Sequence, residues 1–256
     1  RQTDGADWYF VAAPTAEGFR GSLRFRSTGA VELWNPITGE TTPADAQRRE
    51  GGASLVALDL PPSGSVFVVF RAGHASGRKL TRQAVVVTPR SVPVEGPWKL
   101  AFPAGWGAPE SVNLDRLISW TDLDLSPEAR AFSGTATYTT EFTVPPLAAG
   151  TQVELDLGRV EVLARVEING KPAGNLWTPP FRLNVTSLVN PGVNRLNVAV
   201  VNPWFNRLAY DAGLDEKSRK TWTINGPGKG SPLMPSGLLG PVIVRVGPPL
   251  DAKNTR

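Results

Sequence analysis

Cysteine is absent from the 256 residues, and histidine and methionine occur once each. Without thiols there are no disulfides, no cysteine nucleophile and no cysteine-based zinc site; that condition suits cytoplasm and bacterial periplasm equally. The one histidine, His74 in Gly73-His74-Ala75-Ser76-Gly77, lies in a turn-like connection with no nucleophile beside it. A Ser-His pair needs a positioned imidazole, so an exposed loop residue is the simpler expectation. Long apolar runs are missing: nothing approaches the roughly 20 residues that cross a bilayer as a helix, and the start carries no basic-then-apolar signal segment. The first residue is Arg1 rather than Met, which fits either a processed end or a cut through a longer protein. Basic runs are missing too. The net charge of +4 comes from scattered Lys and Arg, so neither nucleic acid nor membrane is expected as a partner.

What is present in quantity is turn chemistry. Twenty-four prolines and 26 glycines separate short Val-, Leu- and Thr-rich runs, and both residues punctuate strands while suiting no helix interior. The expected class is all-β, in two β-sandwich domains. Trp8 to Ala12, Gly21 to Arg26, Val31 to Trp34, Ser54 to Leu60 and Ser65 to Phe70 read as strands of a small sandwich over residues 1–72. Trp8 and Trp34 are expected in its core. Residues 73–93 read as a connecting segment and 94–249 as the second domain, with 250–256 a tail. In the second domain Val160, Val162, Ala164, Val166 and Ile168 alternate with Glu161, Leu163, Arg165, Glu167 and Asn169, the period-two pattern of a half-buried strand. Similar runs cover Gly134 to Val144, Gln152 to Leu157, Leu196 to Val201 and Gly240 to Val246. Ser126-Pro127-Glu128 signals the start of one short helical turn. Such strands with long connections describe a jelly roll, whose ends present loops to solvent.

Several stretches carry a resemblance. Gly96-Pro97-Trp98, Phe132 to Tyr138, Leu155 to Val160, Ile168-Asn169-Gly170, Gly174-Asn175-Leu176-Trp177 with Pro179-Pro180-Phe181, and Ser236 to Val242 resemble the C-terminal region of the bacterial α-L-rhamnosidases of glycoside hydrolase family 106. More generally they look like the galactose-binding-like jelly roll that serves as the sugar-binding domain of family 2 glycosidases. Asp7 to Ala12, Glu32 to Gly39 and Gly64 to Phe70 resemble the segment that follows the catalytic barrel in such enzymes. The resemblance implies a carbohydrate-binding ancillary region, with an oligosaccharide or polysaccharide ligand, an upstream catalytic barrel as partner, and a periplasmic or secreted bacterial setting. Nothing in the chain alternates strand and helix as a barrel does, so a catalytic role on its own is not implied. Trp177 and its prolines are a structural hallmark in the resembling enzymes.

Sugars are held by aromatic faces against C–H patches and by planar polar side chains that meet hydroxyl pairs. Trp204, Asn206, Arg207, Tyr210 and Asp211 offer both kinds of group in what reads as a loop leaving a strand. Arg207 and Asp211 also suit a salt bridge that braces the loop. Trp222 is the next candidate, beside the Gly- and Lys-rich run 226–231, with a core strand position as its alternative. Trp106 and Trp120 lie in loop-rich sequence and suit a groove. Hydrolysis requires two carboxyl groups across the glycosidic bond; among Asp115, Asp122, Asp124, Asp211, Asp215 and Glu216, the catalytic candidates are Asp211 and Asp215. A free-standing small carbohydrate-active enzyme, or a module that binds nothing and braces a barrel, are the competing readings. No cofactor is required; jelly rolls of this type often hold a structural calcium, for which Asp122 and Asp124 are the close loop pair.

Overall fold

A computed structural model describes residues 2–247 except 4, 16, 50 and 72–89. His74, most of the 73–93 connection and the 250–256 tail lie outside the described residues. What is described falls into two compact units, residues 2–71 and 90–247, both all-β apart from short helical turns.

The first unit contains β1 (Gln2–Thr3), β2 (Ala6–Ala12), β3 (Phe19–Phe25), β4 (Ala30–Trp34), β5 (Thr41–Ala44), β6 (Ala46–Arg49), β7 (Ala53–Leu60) and β8 (Ser65–Arg71). They form a five-stranded sheet, β1-β2-β8-β4-β5, and a three-stranded sheet, β3-β7-β6. Val31, Val56, Leu58, Val68 and Phe70 fill the space between, the inward half of each alternating run. Trp8 and Trp34 depart from expectation. They are half-buried on the opposite face of the five-stranded sheet, edge to face with ring centroids 4.9 Å apart. Phe67 and Phe10 continue that row. The reason is parity: Tyr9 and Val11 take the core side of β2, so Trp8 and Phe10 must take the other.

The second unit continues with β9 (Arg90–Pro93), β10 (Trp98–Ala101), β11 (Ser111–Leu114), α1 (Pro127–Arg130), β12 (Thr135–Val144), β13 (Gln152–Asp156), β14 (Arg159–Glu161), β15 (Leu163–Ile168), β16 (Lys171–Leu176), β17 (Arg182–Asn184), β18 (Gly192–Val201), α2 (Phe205–Asp211), β19 (Gly237–Gly240) and β20 (Ile243–Gly247). A six-stranded sheet, β11-β10-β12-β18-β15-β16, lies in one layer; β17-β13-β20-β9 and the pair β14-β19 make the others. All paired strands run antiparallel. Leu100, Tyr138, Val153, Leu155, Val166, Ile168, Leu196, Val198 and Val244 form a continuous core with Trp98, Trp120 and Phe132. Each fully buried aliphatic side chain contributes about 1.5–3 kcal/mol.

The run from Arg159 to Ile168 is two strands, not one. Val160 pairs with Leu238 in the β14-β19 ribbon, whereas Ala164, Val166 and Ile168 pair with β18 in the six-stranded sheet. At the crossing Val162 is 45% exposed, so it leaves the apolar face that its spacing predicts. A polar knot closes the core nearby. Trp120 Nε1 donates to Tyr138 Oη at 2.6 Å, and Leu238 N donates to the same oxygen at 3.1 Å. Gly237, at φ +99, leaves room for it: a Cβ there would stand 2.5 Å from both Trp120 Nε1 and Tyr138 Oη. Trp120 is therefore core, not groove lining.

Candidate functional site

The register of β12 against β18 pairs Thr135 with Val201, so the segment entering β12 and the one leaving β18 emerge together. α1 and α2 therefore share one end of the second unit, and the β10-β11 connection, which carries Trp106, joins them there. Ser126 starts α1 by accepting from Ala129 N at 3.2 Å, with Pro127 in the first turn, as its sequence predicts. α2 is a correction: Trp204 to Asp211 is a helix, not an open loop. Pro203, which has no N–H, ends the strand. The helix that follows lacks a capping side chain at Trp204, which is why no start signal is visible.

Helical spacing decides the fate of the candidate residues. Arg207 and Asp211 stand one turn apart, with Arg207 Nη2 to Asp211 Oδ1 at 2.9 Å and neither side chain more than 1% exposed. Asp211 Oδ2 accepts from Lys220 N (3.0 Å), Thr221 N (2.7 Å) and Thr221 Oγ1 (2.8 Å). Burial penalises its charged form, but the hydrogen bonds from Arg207 and Thr221 outweigh that and hold the carboxyl below the ordinary 3.8. Burial likewise opposes charge on Arg207, and its bonds to Asp211 and Glu128 prevail. Arg207 Nη1 reaches Glu128 Oε1 at 3.0 Å, and Lys220 Nζ reaches the same oxygen at 3.1 Å. The bonds from Lys220 and Arg207 keep Glu128 below its ordinary 4.5. Gly107 makes room for this carboxylate, since a Cβ at its φ of +79 would overlap the Glu128 side chain.

Asn206 is fastened in the same way. Its amide donates to Met234 O (2.8 Å) and Ser236 Oγ (2.9 Å), and accepts from Met234 N (2.8 Å). Asn202 binds Gly134 N, Phe132 O and Ser236 Oγ. These two amides tie the segments 132–134 and 234–236 to the strand-to-helix corner. Asn206, Arg207 and Asp211 are thus interior polar groups bonded within the protein, which places the Asp211 carboxyl out of contact with solvent.

The surface of this end is aromatic. Trp204 is 47% exposed and lies against Trp106, centroids 5.3 Å apart. Arg207 sits 5.6 Å from the Trp106 ring and 5.3 Å from that of Tyr210, and Lys220 lies 5.9 Å from Trp106. Trp222 is 74% exposed, in a segment without strand or helix, so the core-strand alternative for it is excluded. Trp177 is 58% exposed, while Leu176 and Phe181 on either side are buried. Asp215 is exposed. Asp122 and Asp124 are exposed on either side of buried Leu123; Asp122 Oδ1 accepts from Thr121 Oγ1. Among the described residues no three acidic or imidazole side chains gather. Sequence reasoning misses Glu128, Lys220, Thr221 and Ser236 as members of this end: Glu128 stands 79 residues from Arg207 and Ser236 30 from Asn206, while Lys220 and Thr221, 9 and 10 residues from Asp211, both bond it through backbone N–H groups that no side-chain pattern marks.

The second unit is thus an antiparallel sandwich with exposed aromatic side chains gathered at one end. Residues 124–232 match the family described as glycosyl hydrolase 2 galactose-binding domain-like, so the second unit carries such a domain. The structure of a rhamnosidase from Novosphingobium sp. PP1Y is 37% identical with a TM-score of 0.78, over 96% of this chain and 23% of that one. A protein of Formosa agariphila, provisionally named a beta-glucuronidase, is 36% identical over 204 residues, 68% of this chain and 18% of its own length. The chain therefore spans about a fifth of each relative.

Proposed function

We propose that this chain is the non-catalytic, carbohydrate-binding region of an α-L-rhamnosidase-like glycoside hydrolase, close to those of family 106, and that it works beside a catalytic barrel. The observation that carries this reading is the likeness to the Novosphingobium rhamnosidase along 96% of the chain but only 23% of that protein. The interior fate of Asp211 agrees with it, because a buried, doubly bonded carboxylate is unsuited to proton transfer with a sugar. Ligand contact in this reading falls to Trp204, Trp106 and Trp222, with the buried Arg207 network holding the first two in place. The protein requires no cofactor, its ligand is a rhamnose-containing glycan, and its setting is the bacterial periplasm or exterior.

Calorimetric titration with a rhamnose-terminated oligosaccharide, beside incubation with an aryl α-L-rhamnoside, tests the proposal. Binding that is lost in Trp204→Ala with Trp222→Ala, without aryl release, is the expected result. Aryl release that disappears in Asp215→Asn would overturn it in favour of a small enzyme. A second reading, a brace that binds no sugar, draws on Trp222 and Ile224, 74% and 83% exposed in one segment; absence of both signals would favour it.

A further inference from the structure

A second place in the same unit, away from the helical end, has the composition of a binding site. β10 pairs with β12 at Lys99–Thr139, Leu100–Tyr138 and Ala101–Thr137, and no further. Beyond Lys99 the two strands part, with Thr140 Oγ1 bonded to Pro97 O at 2.8 Å instead of a strand ladder. The gap is a groove of about 680 Å³ bordered by Pro97, Lys99, Asn113, Thr139, Glu141 and Arg195. The charges on it are uncommitted. Glu141 and Arg195 face each other across β12 and β18, yet among the described residues their side chains form no ion pair, and those of Lys99 and Asn113 form no hydrogen bond. All four are exposed. Trp98, which also borders the groove, has a buried indole N–H with no acceptor among the described residues.

We infer that this groove binds a carboxylate-bearing saccharide of the uronic acid type. Two cations against one carboxylate leave a positive excess, and an unpaired guanidinium meets a carboxylate through two parallel N–H···O bonds. Glu141 and Asn113 supply the acceptors that sugar hydroxyls need. Trp98 is only 1% exposed, so it presents no ring for stacking. Recognition is therefore carried by charge and hydrogen bonds, and selects the acid over its neutral form. The inference is independent of the proposed sugar contact at Trp204 and Trp222, because the groove lies between β10, β12 and β18 and shares no residue with that end.

The test is titration of the whole chain with a short oligogalacturonate and, separately, with the same oligosaccharide fully methyl-esterified, followed by amide chemical shifts. The acid should shift Lys99, Glu141 and Arg195 amides and bind about tenfold more tightly than its ester. Arg195→Ala should weaken the acid about tenfold without changing the melting temperature, since the side chain is exposed and unpaired. Binding should also weaken as salt rises from about 0.01 M to 1 M, which shortens the screening length from about 30 to 3 Å. Equal binding of acid and ester, shifts confined to Trp204 and Trp222, or no shifts would each overturn the inference. Shifts at Trp204 and Trp222 with a rhamnosyl oligosaccharide alone would leave the proposed function standing while removing this one; groove shifts alone would do the reverse.

Discussion

Arg207 and Asp211 meet across one turn of α2 at 2.9 Å, each no more than 1% exposed. An ion pair so thoroughly dehydrated is supported by further bonds, from Glu128 to Arg207 and from Lys220 and Thr221 to Asp211, although the buried Arg207 Nε has no partner among the described residues. Removing one partner leaves the other charged in the interior. Asp211→Ala is expected to cost about 3–5 kcal/mol of unfolding free energy, read from urea denaturation. Glu128→Ala should cost less, because Glu128 is 30% exposed and water replaces it. Equal losses would mean that the pair is not the support it appears in its geometry.

The same carboxyls set the response to acid. Asp211 and Glu128 have folded pKa values held below 3.8 and 4.5, so their contribution is complete above those values and drains as pH falls through the lowered ones. Glu154 has the opposite sign: burial raises it above 4.5, so it favours the fold more once protonated. The melting temperature should drop as pH falls below about 4, and the drop should be shallower in Asp211→Asn. An identical slope in that variant would assign the acid response elsewhere.

Gly237 gives a backbone prediction. Gly237→Ala forces a Cβ to within 2.5 Å of Trp120 Nε1 and Tyr138 Oη at φ +99. Strain and overpacking together are expected to cost roughly 2–4 kcal/mol, with loss of the near-ultraviolet signal of Trp120. A substitution at Gly105, where a Cβ meets nothing, carries only the backbone part and serves as the comparison.

Val162 and Val166 make a matched pair two turns of the same alternation apart. Val162→Thr should stay within about 0.5 kcal/mol of the parent, whereas Val166→Thr buries a hydroxyl at a site with 0% exposure and should cost about 1–3 kcal/mol. Denaturation midpoints distinguish them. Equal costs would place Val162 in the core as its spacing suggests.

Strand positions are legible in the sequence wherever one face is buried along a whole strand. The alternation at Ala164, Val166 and Ile168, and that over Gly134 to Val144, corresponds to β15 and β12 because parity alone fixes which side chains point inward. Parity does not say which face meets a core, and so it misplaces Trp8 and Trp34. Nor does it register a strand changing sheets, which is how Val162 escapes. At the helical end the residues Trp204 to Asp211 are visible as a cluster of polar and aromatic types. Their division into an interior network and an exposed aromatic rim depends on a helix with no capping signal, on backbone N–H groups of Lys220 and Thr221, and on Glu128 and Ser236 arriving from distant segments. The groove bordered by Lys99 and Arg195 has no sequence signal at all, since it arises where two strands stop pairing.

The fastening of Asp211 by Lys220 and Thr221, and of Asn206 by Met234 and Ser236, has a consequence for biosynthesis. Contacts such as Ser236 N to Ser119 Oγ link residues 117 apart, and long-range closures of this kind come late in folding. Until residues 220 to 236 have left the ribosome, Asp211 lacks Lys220 and Thr221, Asn206 lacks Met234 and Ser236, and this end of the sandwich stays open. A chain truncated before Lys220 is therefore expected to be a substrate for proteases, even though every strand of the six-stranded sheet is already present in it.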